Sequence, residues 1–523
     1  MASIGVVNAN TPKTQDSMNT TDRPKKIFFG VFFDGTGNNM VQKKTAEEYR
    51  KRLQINKNDD DWDLRLNTYL EKNGANKIDE GSDKLLSNEG MQDMSTKGSG
   101  YSNVAILHSV YQAMSEEQFS KVQNDSDVFR FNIYVEGAGT RTINDGSDLL
   151  GSGFGNGDTG VVALVSKAVM MVSNIVKGFK MTRPELHFDV FGFSRGATCA
   201  RLFAFLIARN GEVLGAESKF KKFQAASLYR NDKLHFLDED EFKNKWVDFL
   251  GIYDTVSSVG ITYDNNIKDF GLYSPSMSRV KNTFHLCAID EFREHFALTD
   301  IGKAANSNNA ELFIPGCHSD VGGGYMLKNE TFSLIYRPSL VEKNRLYMDN
   351  PQSKSGRTEE LSADALDALG WVDSKGETFT NYVTGSIDCK RKIVLGGYSN
   401  IPLRMMVKRV KDKTSFDKFS NFPGSRFDIP KRLSKIGQEM LTLANSATGR
   451  NWYYPGGGYS SLQYRELRHT YLHFSSTDTL IDTNELKKTS IVHSPSKKRN
   501  TICRIVYSGN PDSSTPKYMC DYE

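Results

Sequence analysis

The sequence predicts an α/β fold built on a mostly parallel sheet, and three observations carry that expectation. Short, nearly continuous apolar runs at 26–33, 128–135, 185–192, 247–253, 283–289 and 311–314 read as strands buried on both faces. Segments of helical period lie between several of them, and strands alternating with helices give a parallel sheet with covered faces. One strand pattern also runs through a tight glycine-containing turn straight into a helix, at 186–208.

Residues 1–25 are polar and small, without the apolar core of a signal peptide, and read as a flexible N-terminal arm. The run at 26–33 is the first strand. Residues 43–100 are rich in charge, Asn and Gly and read as an exposed insertion, part helical around 46–52 and 62–70. Ser102 is a candidate cap for a helix carrying Ile106, Val110 and Met114 on one stripe. Gly151, Gly153, Gly155, Gly157 and Gly160 precede the next helix. No Lys-Ser/Thr follows them, so they read as a surface turn in preference to a phosphate loop. The helix at 161–179 carries Ser166, Lys167, Ser173, Asn174 and Lys177, too polar for a membrane span of ~20 residues. After Tyr325 the alternation stops. This divides the chain into a core at 26–325 and a C-terminal module or cap at 326–523, whose stretch 487–499 is locally basic.

Composition excludes several classes. The 523 residues leave room for about three domains of ~150 residues, or one large domain with insertions. A net charge of +4 is too balanced for a protein held to nucleic acid by phosphate neutralisation. The 6 Cys are scattered without a CxxC pair, which argues against a disulfide scaffold or a zinc ribbon and for a reduced folding compartment.

The turn after the strand at 186–190 is Gly192-Phe193-Ser194-Arg195-Gly196, the G-x-S-x-G of a nucleophile elbow. A serine there must sit on a sharp, strained turn, and glycines two residues either side let strand and helix cross. The helix that follows aims backbone N–H groups at a developing oxyanion, starting with Arg195. Serine needs a base. Of the nine His, His318 stands in a glycine-rich loop just after the last strand, at Pro315–Gly324, where an open α/β sheet places reactive groups. The orienting carboxylate has two candidates, Asp254 and Asp290, each ending a strand, and position leaves both open. Asp320 reads as a stabiliser of its own loop, and His285 as a packed core residue. The second oxyanion donor is Gly35 or Thr36, in the turn Asp34–Asn38, which is also readable as an ordinary Asp-capped turn. No metal or other cofactor is called for: HExxH is absent and Cys317-His318 alone is not a metal site.

Together these residues resemble a known family. Phe32-Phe33-Asp34-Gly35-Thr36-Gly37-Asn38, Gly192 to Ala197, Tyr253-Asp254-Thr255-Val256, Gly316 to Tyr325, Ile401 to Met406 and Leu467 to Ser475 match, in order, the first family of bacterial type VI secretion lipase effectors. The resemblance extends from residue 27 to about 476 and leaves out 1–25, 43–100 and the tail beyond 480. It implies an α/β-hydrolase core and a Ser–Asp–His triad at Ser194, Asp254 and His318, with Asp290 the alternative acid. It also implies a phospholipase of A1 or A2 type acting on membrane glycerophospholipids, with a membrane-anchoring module supplied by the region after 325, the 43–100 insertion being a second candidate contributor. The partners it implies are a type VI spike or tube component and a cognate immunity protein. The expected route runs from the bacterial cytoplasm, through the type VI system, to the periplasm or membranes of a target cell. The competing expectations are a soluble carboxylesterase or acyltransferase, and a non-catalytic binding module on a hydrolase scaffold.

Overall fold

The computed structural model of the chain describes residues 26–36, 38, 40, 101–113, 128–138, 160–178, 184–208, 244–257, 280–293, 296–302, 308–325, 367–373, 375, 378–381, 386–389, 394–414, 418–422, 425–474, 491–493, 500–502, 504–509 and 517–519. The N-terminal arm, the 43–100 insertion, the glycine turn at 151–159 and most of the basic stretch 487–499 lie outside them.

The elements run β1 (Lys26–Phe33), α1 (Asn103–Val110), β2 (Val128–Val135), α2 (Val161–Gly178), β3 (Glu185–Phe193), α3 (Arg195–Ala208), β4 (Lys245–Tyr253), β5 (Thr283–Ala288), β6 (Leu298–Thr299), β7 (Asn309–Ile314), α4 (His318–Gly322), the hairpin β8 (Thr378–Asn381) and β9 (Ser386–Cys389), α5 (Asn400–Lys413), α6 (Ser434–Ser446), β10 (Gly449–Trp452), α7 (Leu462–Tyr471), β11 (Ile491–His493), β12 (Asn500–Ile502), β13 (Arg504–Tyr507) and β14 (Lys517–Met519). The apolar runs of the sequence are all strands, with ends moved by at most two residues. Ser102 caps α1, accepting the Ala105 N–H at 3.1 Å.

Seven strands form one sheet in the order β10-β7-β5-β4-β3-β1-β2, and every pairing in it is parallel. Alternate residues feed opposite faces, as strand geometry requires. In β1, Ile27, Phe29, Val31 and Phe33 pack beneath α2 and α3, with Leu186, Phe188 and Val190 of β3. Phe32, Phe191 and Phe249 point the other way, into a second core closed by α1, α5, α6 and α7. Fully burying one such side chain is worth ~1.5–3 kcal/mol, so both faces drive assembly.

The boundary expected at residue 325 does not divide this fold. β10 is an edge strand of the main sheet, pairing with β7 from Gly449↔Ala310 to Trp452↔Phe313. Ile401, Met405, Met406, Tyr464 and Leu467 share one core with Phe32, Phe284 and Leu312. β13 joins β6, which lies before residue 325. The pattern after 325 hides this because β10 and β13 have only four residues each and receive their partners from far upstream.

A parallel sheet puts all its strand C-termini on one rim. Register aligns Phe33 with Gly192, Phe193 with Tyr253, Tyr253 with Leu286, and Ala288 with Ile314. The turns after β1, β3, β4, β5 and β7 therefore converge. Chain direction across the sheet switches between β1 and β3, the crevice where such sheets bind ligands.

Candidate active site

Ser194 stands between β3 and α3 with φ 60°, a left-handed conformation that costs a non-glycine residue ~1–2 kcal/mol. Its surroundings hold it there. The Ser194 N–H donates to Tyr253 O at 3.1 Å, and Ser194 O accepts from Val256 N at 3.3 Å and Ala197 N at 3.0 Å. The two flanking glycines are needed for space: a Cβ on Gly196 would lie 2.3 Å from Asp34 O, and one on Gly192 would lie 2.4 Å from Gly196 O. The elbow is thus tied to β1 on one side and to the turn after β4 on the other.

That turn carries Asp254, also left-handed at φ 43° and fully buried. Its Oδ2 lies 2.6 Å from His318 Nδ1. Its Oδ1 accepts the Ala288 N–H at 2.9 Å, and Arg504 Nη2 reaches both oxygens at 3.1 and 3.0 Å. Burial would raise the carboxyl pKa, but Arg504, His318 and the Ala288 N–H outweigh it and hold Asp254 well below the ordinary carboxylate range.

His318 is the first residue of α4, where the sequence suggested an open loop. Asp320 explains the difference, since its Oδ2 accepts the Cys317 N–H at 3.1 Å and closes the first turn. Asp320 also binds the His473 N–H and Nδ1 at 2.9 and 2.7 Å, joining this turn to the chain after α7. The imidazole lies between Phe193, with ring centroids 4.5 Å apart, and Phe296 at 5.1 Å. Gly322 makes the first contact possible, because a Cβ there would strike the Phe193 ring at 2.0 Å. Burial lowers the His318 pKa, although Asp254 and Glu291 pull it upward, so the ring is neutral at pH 7. With Nδ1 donating to Asp254, Nε2 is the basic nitrogen. Among the described residues neither Nε2 nor the Ser194 hydroxyl makes a hydrogen bond, so the resting structure brings serine and imidazole to one rim without closing the bond between them. Catalytic bonds commonly tighten only once substrate is in place.

Asp290 takes no part in this contact. Its Oδ2 accepts the Gly316 N–H at 2.8 Å and the Tyr464 hydroxyl at 2.7 Å, and the Arg468 guanidinium lies 3.2 Å from Oδ1. It fastens the His318 turn to α7.

The two oxyanion candidates after β1 also separate. Gly35 donates its N–H to Asp34 Oδ1 at 2.7 Å. Asp34 further accepts the Ser102 and Tyr134 hydroxyls at 2.5 Å each, so it is the cap of an organised turn. Thr36, next along, has a buried Oγ1 without a hydrogen-bond partner among the described residues. Arg195 opens α3, placing its N–H in the first turn of that helix.

Sequence reasoning did not single out Arg504, Glu291 or the aromatic pair around His318. Glu291 is buried, accepts the His318 N–H at 3.2 Å, and is paired with Arg293 at 2.9 Å. Arg504 lies in the tail beyond the recognisable motifs, and only its strand-like neighbours Ile505 and Val506 hinted at buried structure.

His285, Cys287 and Glu311 bring ligand atoms within 4.8 Å of one another. His285 already bonds Glu311 through Nδ1 at 2.9 Å and the Thr255 N–H through Nε2 at 3.2 Å, and Arg450 covers the other Glu311 oxygen at 2.7 Å. This trio is an internally satisfied core network that props the residue after Asp254.

The family model described as T6SS, phospholipase effector Tle1-like, catalytic domain matches residues 86–343. No curated protein matches the chain. Among solved structures, the chain is similar to the Tle1 effector bound to the VgrG spike from the Type 6 secretion system, at 16% identity and a TM-score of 0.48 over 99% of this chain and 95% of that one. It is also similar to an uncharacterized protein from Pseudomonas aeruginosa, at 18% identity and a TM-score of 0.27 over 58% of this chain and 42% of that one. Residues 86–343, the stretch similar to the catalytic domain of Tle1-like type VI secretion phospholipase effectors, contain the strained serine and the His–Asp pair.

Proposed function

We propose that the protein hydrolyses acyl ester bonds of membrane glycerophospholipids, as an A1- or A2-type phospholipase, through Ser194, His318 and Asp254. The observation that carries this reading is the 2.6 Å contact of His318 Nδ1 with Asp254 on the rim where Ser194 is held left-handed. Ser194 Oγ attacks the acyl carbonyl while His318 Nε2 takes its proton. The Arg195 N–H and Thr36 receive the oxyanion. Lysophospholipid departs with the proton returned by His318, and a water activated by the same imidazole releases the fatty acid. Asp254 keeps the proton on Nδ1 and stabilises the imidazolium.

Delivery into a neighbouring bacterium on a type VI spike or tube component, action in its periplasm or on its membranes, and a protective immunity protein in the producer belong to the same proposal, supported by the family of the catalytic domain. No described helix is long and apolar enough to cross a membrane. Membrane contact belongs to the same proposal and is assigned to the surface of the region after 325, where, among the described residues, Trp452 and Leu462 are large apolar side chains left in solvent.

The test compares wild type with Ser194→Ala on phospholipid vesicles carrying different acyl chains at the two positions, with products resolved by mass. Wild type should release lysophospholipid and one of the two fatty acids; the variant should lose at least ~10³-fold in kcat. An undiminished rate in the variant removes Ser194 from the mechanism, and hydrolysis confined to short soluble esters removes the phospholipase assignment.

A further inference from the structure

The carboxylate that orients His318 is gripped by a residue 250 positions later in the chain. Arg504 opens β13, a strand that pairs with β6 and β14. Its Nη2 bonds both Asp254 oxygens and the Phe296 carbonyl, the last at 3.1 Å. Arg504 is 1% exposed and Asp254 0%. Its Nε and Nη1 have no hydrogen-bond partner among the described residues, so every described bond of this guanidinium goes to Asp254 or to the carbonyl that aims it.

We infer that Arg504 is a positioning residue of the active site: its guanidinium keeps Asp254 ionised and aimed at His318 Nδ1, so the C-terminal strand is part of the catalytic apparatus. The inference rests on the triad reading above. Its electrostatic logic is local. Facing Asp254 are His318 from α4, Arg504 from β13, and the Ala288 N–H and Cys287 thiol from β5, while Glu291, neutralised by Arg293, lies against His318. Asp254, Glu291, Arg293 and Arg504 sum to zero charge around a neutral imidazole. Without Arg504 the same pocket holds an excess negative charge out of water, and the buried carboxyl is driven to take up a proton. A protonated Asp254 donates to Nδ1 instead of accepting from it. The imidazole proton then moves to Nε2, and the nitrogen facing serine is no longer a base.

The experiment uses the full chain and vesicle hydrolysis as a function of pH for wild type, Arg504→Gln and Arg504→Lys. Arg504→Gln should lose about 100-fold in kcat near pH 7 with little change in KM. Its acid limb should move up by more than about two pH units, so that much of the rate returns only at alkaline pH. Arg504→Lys, which keeps the charge but cannot span both oxygens and the Phe296 carbonyl, should fall between. A Gln profile superimposable on wild type, or equal shifts for Gln and Lys, overturns the inference. Folding is controlled by a second cycle: in an Asp254→Asn background, removing Arg504 should not lower the melting temperature. A drop there as large as in the wild-type background shows that Arg504 serves the fold and not Asp254. An inactive Ser194→Ala beside an unshifted Arg504→Gln rejects this inference alone; an active Ser194→Ala rejects the triad with it.

Discussion

Ser194 and Asp254 both adopt left-handed backbone, and each is held by partners from a different strand. Strain of this kind persists only where neighbours over-determine it. At this scale the proposed role of His318 carries a pH prediction. A general base must be in its neutral form, and burial places the His318 pKa below the usual histidine value of about 6.5. The rate should therefore fall as pH drops through a midpoint under 6.5 and stay level just above it. A pH profile of kcat/KM with a midpoint above 6.5 contradicts the assignment of His318 as a buried neutral base. Thr36 offers a second check. Thr36→Val keeps the shape and removes the unpartnered hydroxyl. If that hydroxyl meets the oxyanion, kcat should fall ~10²-fold with KM nearly unchanged, and unchanged kcat leaves only the backbone of this turn in that role.

Among elements, β3 and α3 cross closely, with β1 packed against the crossing. Gly196 sits against the carbonyl oxygens of Phe33 and Asp34, and a methyl group there would lie 2.4 and 2.3 Å from them. Backbone cannot yield as a side chain does. Gly196→Ala should therefore destabilise the fold by ~3 kcal/mol in denaturant unfolding and abolish hydrolysis in the protein that remains folded. A fully stable, active variant would mean that β1 is free to move away from the elbow. The short helix α4 belongs to the same scale. Asp320 and Asp290 tie its first turn and the residues just before it to the chain after β10, so α7 and the His318 turn are joined by buried hydrogen bonds.

At the scale of the described fold, titratable groups are buried within and around the sheet. Glu311 is held at about 2: burial opposes its ionisation, but His285, Arg450 and the Ile301 N–H overcome it. Asp254 and Glu291 are likewise held down against their burial, by Arg504 and Arg293 respectively. Burial takes His108 down to about 4. Each of these groups binds its proton at higher pH when unfolded than when folded, so each withdraws stability as pH falls. His108 acts from about 6.5 down to 4, and the carboxylates act below about 4.5. Asp189, raised by burial in spite of Lys418, works in the opposite direction. Melting temperature should thus decline steadily from pH 7 to pH 4 and steeply below it. A flat profile over that range would show that the buried charges are neutralised in some other way.

How much of this was legible depended on how far apart the interacting residues stand. The strands, their parallel arrangement and the elbow are written in local spacing: period, an apolar run, glycines two residues from a serine. His318 could be picked because its glycine-rich setting follows a strand directly. Asp254 and Asp290 could not be told apart by position, since both end strands on the same rim; only the contacts of the folded chain give His318 to one and Gly316 to the other. Gly35 and Thr36 parted for the same reason, when Asp34 took the Gly35 N–H. Arg504 and the edge strand β10 left no periodic mark, because four-residue strands carry too little pattern and their partners lie far upstream. The sequence by itself determined the sheet, the elbow around Ser194 and the glycine-rich setting of His318, which arise from neighbours in the chain. The tertiary structure decided which carboxylate meets His318, which turn residue keeps an unpartnered hydroxyl and which guanidinium stands behind them, because register and hydrogen bonding over hundreds of residues choose among groups that are chemically alike.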